Sequence, residues 1–132
     1  MYLFHLALSN GWRNLKINIM KKQEEIIYRE CMLPNGFASL IRENQVDKSK
    51  FDNLIEAIKY LTSIEGTQLR INKLTVACLF ELPWEIENTV NHYSNEDENL
   101  GNEVSLMAEQ LRTVINEFLW TGLEKYYENI GN

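Results

Sequence analysis

The stretch from Glu103 to Ile130 constrains the fold most, because it has the pattern of one long helix whose apolar surface widens along its length. Its first half carries a single apolar stripe at helical spacing, made of Val104, Met107, Leu111, Val114 and Ile115. Later apolar residues lie on all sides, namely Phe118, Leu119, Trp120, Leu123, Tyr126, Tyr127 and Ile130. A helix that is apolar on all sides has to be covered on all sides. We therefore expect its end to be covered by its own domain or by another chain.

Further helices are predicted before this segment. Residues 51–64 have one apolar face with polar residues between, a cap at Asp47 or Ser49, and Gly66 to end the helix. The face consists of Phe51, Leu54, Ile55, Ile58, Leu61 and Ile64. The run from Leu69 to Leu82 is apolar on most sides, and its length favours a helix over a buried strand. In either form we expect it to be buried in the middle of the domain.

These patterns together predict a mainly α fold, a compact bundle of about four to six helices with a long C-terminal helix. Pro83 is expected to break or kink the chain, and it can also lie in the first turn of a new helix. An α+β fold is the alternative, because Pro34-Asn35-Gly36 is a strong turn signal that could close an N-terminal β-hairpin. The acidic residues 94–101 are the expected surface loop.

The chain of 132 residues is long enough for one domain, which we assign to residues 20–132. Residues 1–19 form an N-terminal extension of open status, since their apolar residues fit both a helical face and a strand. The helical face would comprise Phe4, Leu8, Trp12, Leu15 and Ile19. Met20 followed by two lysines would also make a natural translation start.

The net charge of −6 is unevenly distributed along the chain. Residues 1–50 carry a net charge of +3, and residues 51–132 carry −9. An acidic surface repels phosphate backbones, so binding of nucleic acid is unlikely for the second part. A basic arm that contacts nucleic acid, as in a transcription-linked regulator, remains the alternative function. Its residues would be Trp12, Arg13, Lys16, Lys21 and Lys22.

Catalysis and cofactor binding have no support in the sequence. No nucleophile motif, phosphate-binding glycine loop or metal-ligand spacing occurs. Cys31 and Cys78 are 47 residues apart and are expected to be two buried thiols. The acidic segment that starts at Asn95 fails as a calcium loop, because Leu100 stands where glycine is required. We therefore predict a protein that is not an enzyme and has no cofactor and no metal.

The sequence also lacks any run of about 20 apolar residues that could span a bilayer. The apolar opening, Met1 to Leu8, resembles the apolar core of a signal peptide, but it lacks the preceding positive charges and a small-residue cleavage site after it. The prediction is a cytoplasmic protein without a membrane contact.

Aromatic residues are the strongest functional candidates, because tryptophan and tyrosine dominate interface hot spots. The expected partner-binding residues are Trp84, Phe118, Trp120, Leu123, Tyr126 and Tyr127. Burial statistics favour a core position for Trp84 and Phe118, whereas Trp120 and Tyr127 lie on a different face. The leading hypothesis is an adaptor or assembly-chaperone-like protein. Its aromatic terminal helix would form a homodimer or bind a peptide of a partner protein.

Overall fold

The computed structural model describes residues 21–65 and 68–126, and these residues form helices and no strand. The helices are α1 (Lys22–Met32), α2 (Phe37–Arg42), α3 (Lys48–Glu65), α4 (Lys73–Phe80), α5 (Leu82–Glu87), α6 (Val90–Glu96) and α7 (Glu98–Trp120). The predicted mainly α fold is confirmed. Two short helices, α5 and α6, stand where one helix was expected to start at Pro83. Residues 1–19, the predicted extension, lie outside the described residues.

The turn at Pro34–Gly36 joins α1 to α2, and no hairpin forms because the residues on both sides are helical. The Phe37 backbone N–H donates a hydrogen bond of 3.0 Å to the Glu30 carboxylate, which satisfies a donor at the start of α2. Gly36 lies directly against the end of α1, where an added Cβ would collide with the Arg29 carbonyl oxygen. The close approach of Gly36 and the hydrogen bond from Phe37 to Glu30 together fix the position of α2 relative to α1.

The predicted apolar faces of α3 and α7 are buried in one continuous core. Every residue of the predicted α7 stripe is buried, and the α3 face is buried apart from Ile64. Helix α3 contacts both α1 and α7, and α7 also contacts α5 and α6. The hydroxyl of Tyr93 in α6 donates a buried hydrogen bond of 2.7 Å to the Ile41 carbonyl, which ties α6 to α2.

The long terminal helix begins and ends earlier than predicted. Its N-cap is Asp97, whose side chain accepts from the Asn99 backbone N–H at 3.0 Å. The predicted loop at 94–101 is therefore reduced to a break at Asp97 between α6 and α7. At the other end, α7 stops at Trp120, and Gly122 has a positive φ of 84°. The prediction of one helix through to Ile130 is wrong for residues 121–123, and residues 127–130 lie outside the described part.

The segment from Leu69 to Leu82 differs most from its prediction. Only Lys73–Phe80 is an α-helix there, capped by the Asn72 side chain, which accepts from the Thr75 backbone N–H at 3.1 Å. Burial of the whole segment was the wrong expectation, because Leu69 and Phe80 are strongly exposed. Pro83 lies in the first turn of α5, as predicted. None of the described helices is long and apolar enough to cross a membrane.

Candidate interaction surface

Two aromatic side chains project from the junction of α4 and α5. Phe80 is the last residue of α4 and is 80% exposed, and Trp84 in α5 is 64% exposed. A single exposed apolar residue is ordinary on a protein surface, whereas a contiguous apolar patch usually marks a binding site. The surroundings of these two residues therefore decide whether they form a site.

One groove lies between α4, α5 and α7 and has a volume of about 350 Å³. It is lined by Val76, Leu79, Phe80, Pro83, Trp84, Arg112, Ile115, Asn116 and Leu119. Its lining is mostly apolar, with polar groups only at Arg112 and Asn116. Apolar linings with a few polar groups are typical of binding sites in proteins.

A second groove, of about 540 Å³, also involves Phe80. It is lined by Met32, Lys73, Leu74, Val76, Ala77, Cys78, Phe80 and Glu81. Because both grooves share Val76 and Phe80, the Phe80 ring stands between them. We call the residues that line the two grooves the Phe80 surface.

The Phe80 surface lies, apart from Met32, in the more acidic part of the described chain. Residues 68–126 contain four Lys/Arg and ten Asp/Glu, a net charge of −6, whereas residues 21–65 have a net charge of −1. The guanidinium of Arg112 forms an ion pair with Glu87 at the edge of the first groove. Arg42 reaches Glu85 at 2.8 Å. Both arginines are therefore paired with carboxylates, and the other charged side chains that line the two grooves are Lys73 and Glu81.

The structure separates the predicted partner-binding residues from one another. Trp84 lies on the Phe80 surface, against the expectation that it belongs to the core. Phe118 is 4% exposed and lies in the core. Trp120 and Tyr126 are exposed and Leu123 is half-buried, but none of the three lines either groove. Tyr127 lies outside the described residues.

Phe80 itself was missed by sequence reasoning, although its signal was present. The run Leu74–Phe80 is apolar on most sides, and a segment of this kind was expected to be buried in the middle of the domain. In the described structure, α4 contacts α1 and α5 and leaves the side bearing Phe80 open. A helix with apolar residues on all sides is expected to be covered by another part of the protein or by a partner. This expectation was used for the end of α7, but α4 is the better example of it.

The residues of the alternative nucleic-acid arm are only partly described. Trp12, Arg13 and Lys16 lie outside the described residues. The Lys21 ammonium binds the Glu65 carboxylate, and this hydrogen bond raises the pKa of Lys21. Lys22 lines a third groove, between α1 and α3, of about 720 Å³. We call it the α1–α3 groove, and its charged residues are Lys22, Arg29, Glu30, Glu56 and Lys59.

Both cysteines are buried thiols, as predicted, and they lie at the interface between α1 and α4. Burial raises the pKa of the Cys31 thiol well above its ordinary value, and the neighbouring Cys78 raises it further. A raised pKa keeps the thiol protonated and therefore poorly nucleophilic.

His92 lies on the surface of α6. Its Nε2 is 2.8 Å from the Asn44 side-chain oxygen and 3.7 Å from Glu96. Within residues 21–65 and 68–126, no three His, Cys, Asp or Glu side chains are placed to hold a metal ion.

No protein-family model, curated protein or solved structure matches this chain. The Phe80 surface is therefore the feature from which a function can be proposed.

Proposed function

We propose that this chain is a non-enzymatic protein-interaction module, of the adaptor or assembly-chaperone kind, and that it binds its partner through the Phe80 surface. The observation that carries the proposal is the projection of Phe80, 80% exposed, between two apolar grooves that share it. An isolated chain gains nothing from holding a phenylalanine in water, because burying that side chain in an interface is favourable.

The shape and the charge of the surface define the kind of partner. Two grooves on either side of a projecting ring suit an amphipathic segment that lays an apolar face across them, as in helix-in-groove recognition. The grooves lie mainly in residues 68–126, which carry a net charge of −6, and this charge favours lysine or arginine at the edges of that apolar face. The expected occupant is therefore a segment of a partner protein with an apolar face and basic flanks.

A homodimer through the same surface is the less favoured arrangement. In a two-fold symmetric dimer, the same patch of each copy meets its counterpart. Two acidic halves would then approach each other, each with a net charge of −6 in residues 68–126. Like charges across an interface oppose association, so a basic partner fits this surface better than a second copy does.

A designed peptide tests the proposal directly. The probe is a 16-residue amphipathic peptide with a leucine face and lysine flanks, and its control is the same peptide with glutamate in place of every lysine. Fluorescence anisotropy of the labelled peptides with the full chain measures both affinities over a series of salt concentrations. We expect the lysine peptide to bind at least tenfold more tightly than the glutamate peptide, with a difference that shrinks as salt screens the charges.

Two substitutions identify the surface that the peptide uses. Phe80→Ser should remove most of the binding. Leu106→Ser is the matched control, because Leu106 is also exposed (62%) but lies about two and a half turns from Ile115, on the opposite side of α7. Equal binding of both peptides, or equal loss with the two variants, would contradict the proposal. Light scattering over a concentration series measures the molar mass and therefore detects a dimer. We expect no dimer through this surface, because like charges would oppose association.

A further inference from the structure

We infer that the second groove of the Phe80 surface binds its partner segment in one charge order, with the basic end of the segment at Glu81 and an acidic end at Lys73. The inference rests on the proposed function and deepens it, because it specifies the charge pattern of the segment that binds there. Two observations carry it. The charges of Lys73 and Glu81 stand unpaired at opposite ends of the groove, and an apolar strip of α4 lies between them.

The two ends of the second groove carry opposite charges. Lys73 is the first residue of α4 and Glu81 is its C-cap, so the two residues lie about 12 Å apart along the helix axis. Both side chains line the groove, and both residues are exposed. Among the residues that the structure describes, neither one has an ion-pair partner. Both charges are therefore available to a partner.

An apolar strip connects the two charges. Positions 73, 76, 77, 80 and 81 follow one another at spacings that place them on one face of α4. Val76, Ala77 and Phe80 form the middle of that face, and all three line the groove. Ala77 is exposed and small, which leaves room beside the Phe80 ring for a large apolar side chain of the partner. A partner segment therefore meets apolar side chains in the middle of the groove and one charge at each end.

The free charge at the Lys73 end is positive. Arg70 precedes Lys73 by three residues and is also exposed. The Glu24 carboxylate lies near the first turn of α4, where it accepts a hydrogen bond of 3.3 Å from the Thr75 hydroxyl. Glu24 is only 4% exposed, so it is not available to the flank of a partner segment. An acidic flank is therefore attracted to this end.

The free charge at the Glu81 end is negative. Glu85 is the neighbouring carboxylate, since both residues line the small cavity beside Cys78. Arg42 pairs with Glu85 at 2.8 Å and neutralises it, whereas Glu81 has no such partner within the described part of the chain. A basic flank is therefore attracted to this end, and an acidic flank is repelled.

The first groove does not impose an order of this kind. Of the described residues that line it, only Arg112 is charged, and Arg112 is paired with Glu87. The net charge of −6 in residues 68–126 acts on the segment as a whole and favours a net positive segment. A segment with several basic residues at one flank and a single acidic residue at the other satisfies both the net charge and the order of charges.

A peptide of this pattern tests the order. It keeps the 16-residue leucine face of the lysine peptide and has three lysines at one end and one glutamate at the other. A spin label is attached to the lysine end, and paramagnetic broadening of the backbone amide signals of the ¹⁵N-labelled full chain reports where that end lies. We expect stronger broadening at residues 80–85 than at residues 70–75. Moving the label to the glutamate end should reverse the pattern.

Exchanging the two charges of the groove should turn the peptide around. The double variant Lys73→Glu/Glu81→Lys keeps the net charge of the chain, and its lysine-end label should broaden residues 70–75 more strongly than residues 80–85. The matched control is Glu56→Lys/Lys59→Glu, an equally neutral exchange at two exposed positions of α3. It should leave the orientation as in the wild type. Glu81→Ala alone should weaken binding of the peptide about two- to fivefold, as expected for the loss of one exposed ion pair.

The outcomes separate this inference from the proposed function. Equal broadening at residues 70–75 and 80–85, the opposite order in the wild type, or an orientation that does not follow the exchange overturns the charge order. If Phe80→Ser still removes binding in those cases, the inference fails alone. If no peptide binds the full chain, or if Phe80→Ser leaves binding unchanged, the proposed function fails and the inference fails with it.

Discussion

Phe80 and Phe118 should respond differently to substitution by alanine. The Phe80 variant should lose affinity for the peptide, whereas the Phe118 variant should lose stability. Phe80 is 80% exposed at the end of α4, whereas Phe118 is 4% exposed in α7 and belongs to the core. The perturbation is alanine at each position, tested separately. Since the same atoms are removed in both variants, any difference in outcome reflects where the two rings lie.

The expected magnitudes follow from these exposures. Complete burial of a phenylalanine side chain is worth about 1.5–3 kcal/mol, so four-fifths of that, about 1.2–2.4 kcal/mol, remains available for a partner at Phe80. The loss corresponds to a Kd for the lysine peptide that is about 7- to 50-fold weaker in Phe80→Ala. The free energy of unfolding should change by less than about 1 kcal/mol in this variant. Phe118→Ala should instead lower it by about 3–5 kcal/mol, because a cavity remains in the core.

Urea unfolding followed by circular dichroism measures the stability of each variant, and peptide anisotropy measures the affinity. Leu106→Ala is the control for removing an exposed apolar side chain elsewhere, and it should change neither quantity appreciably. A loss of stability in Phe80→Ala as large as that in Phe118→Ala would refute the reasoning, because Phe80 would then be packed in the free protein. An unchanged affinity would refute the role of Phe80 in binding.

Three further predictions concern the stability of the fold. Glu30→Ala removes the carboxylate that accepts a hydrogen bond from the Phe37 backbone N–H. It should lower the free energy of unfolding, measured in urea, by about 1–2 kcal/mol. Glu43→Ala is the control at an exposed position and should change the free energy of unfolding little. Tyr93→Phe leaves the Ile41 carbonyl without its buried donor, and it should cost about 1–3 kcal/mol in the same assay; an unchanged midpoint would mean that water replaces the hydroxyl. Alkaline pH should destabilise the protein, because burial raises the pKa values of the Cys31 thiol and the Tyr93 hydroxyl. The folded state then binds more protons than the unfolded state, so stability is fully present below the ordinary thiol pKa of 9.0 and falls as pH rises above it. Thermal unfolding between pH 8 and pH 11 should show a falling midpoint, and a flat profile for wild type would contradict the sign.

Much of the fold was predictable from the spacing of apolar residues. Where only one side of a helix is covered, apolar residues at helical spacing mark the side that is buried. The faces of α3 and α7 follow this rule, and their apolar residues form the core apart from Ile64. The end of α7 was not predictable from periodicity, since Thr121 and Gly122 break the helix within an apolar run. The helical spacing of Phe37, Leu40 and Ile41 correctly favoured a helix after the Pro34–Gly36 turn.

The candidate site was predicted only in part. Trp84 was named as a partner-binding residue and lies on the Phe80 surface. The composition of α4 indicated burial, but an eight-residue helix that contacts α1 on one side leaves its other side open. Local sequence gives the apolarity of each residue, whereas exposure at Phe80 depends on which helices pack nearby. That arrangement is a tertiary property, and it explains why Phe80 was assigned to the interior.

The central claim is that a basic amphipathic segment binds the Phe80 surface. The most direct measurement is a titration of the ¹⁵N-labelled full chain with the lysine peptide, followed through the backbone amide signals. We predict that the largest shifts fall in residues 76–84 and 112–119, with few at residues 22–30 and 53–60. Shifts centred on the α1–α3 groove, or on residues 120–126 alone, would contradict the claim.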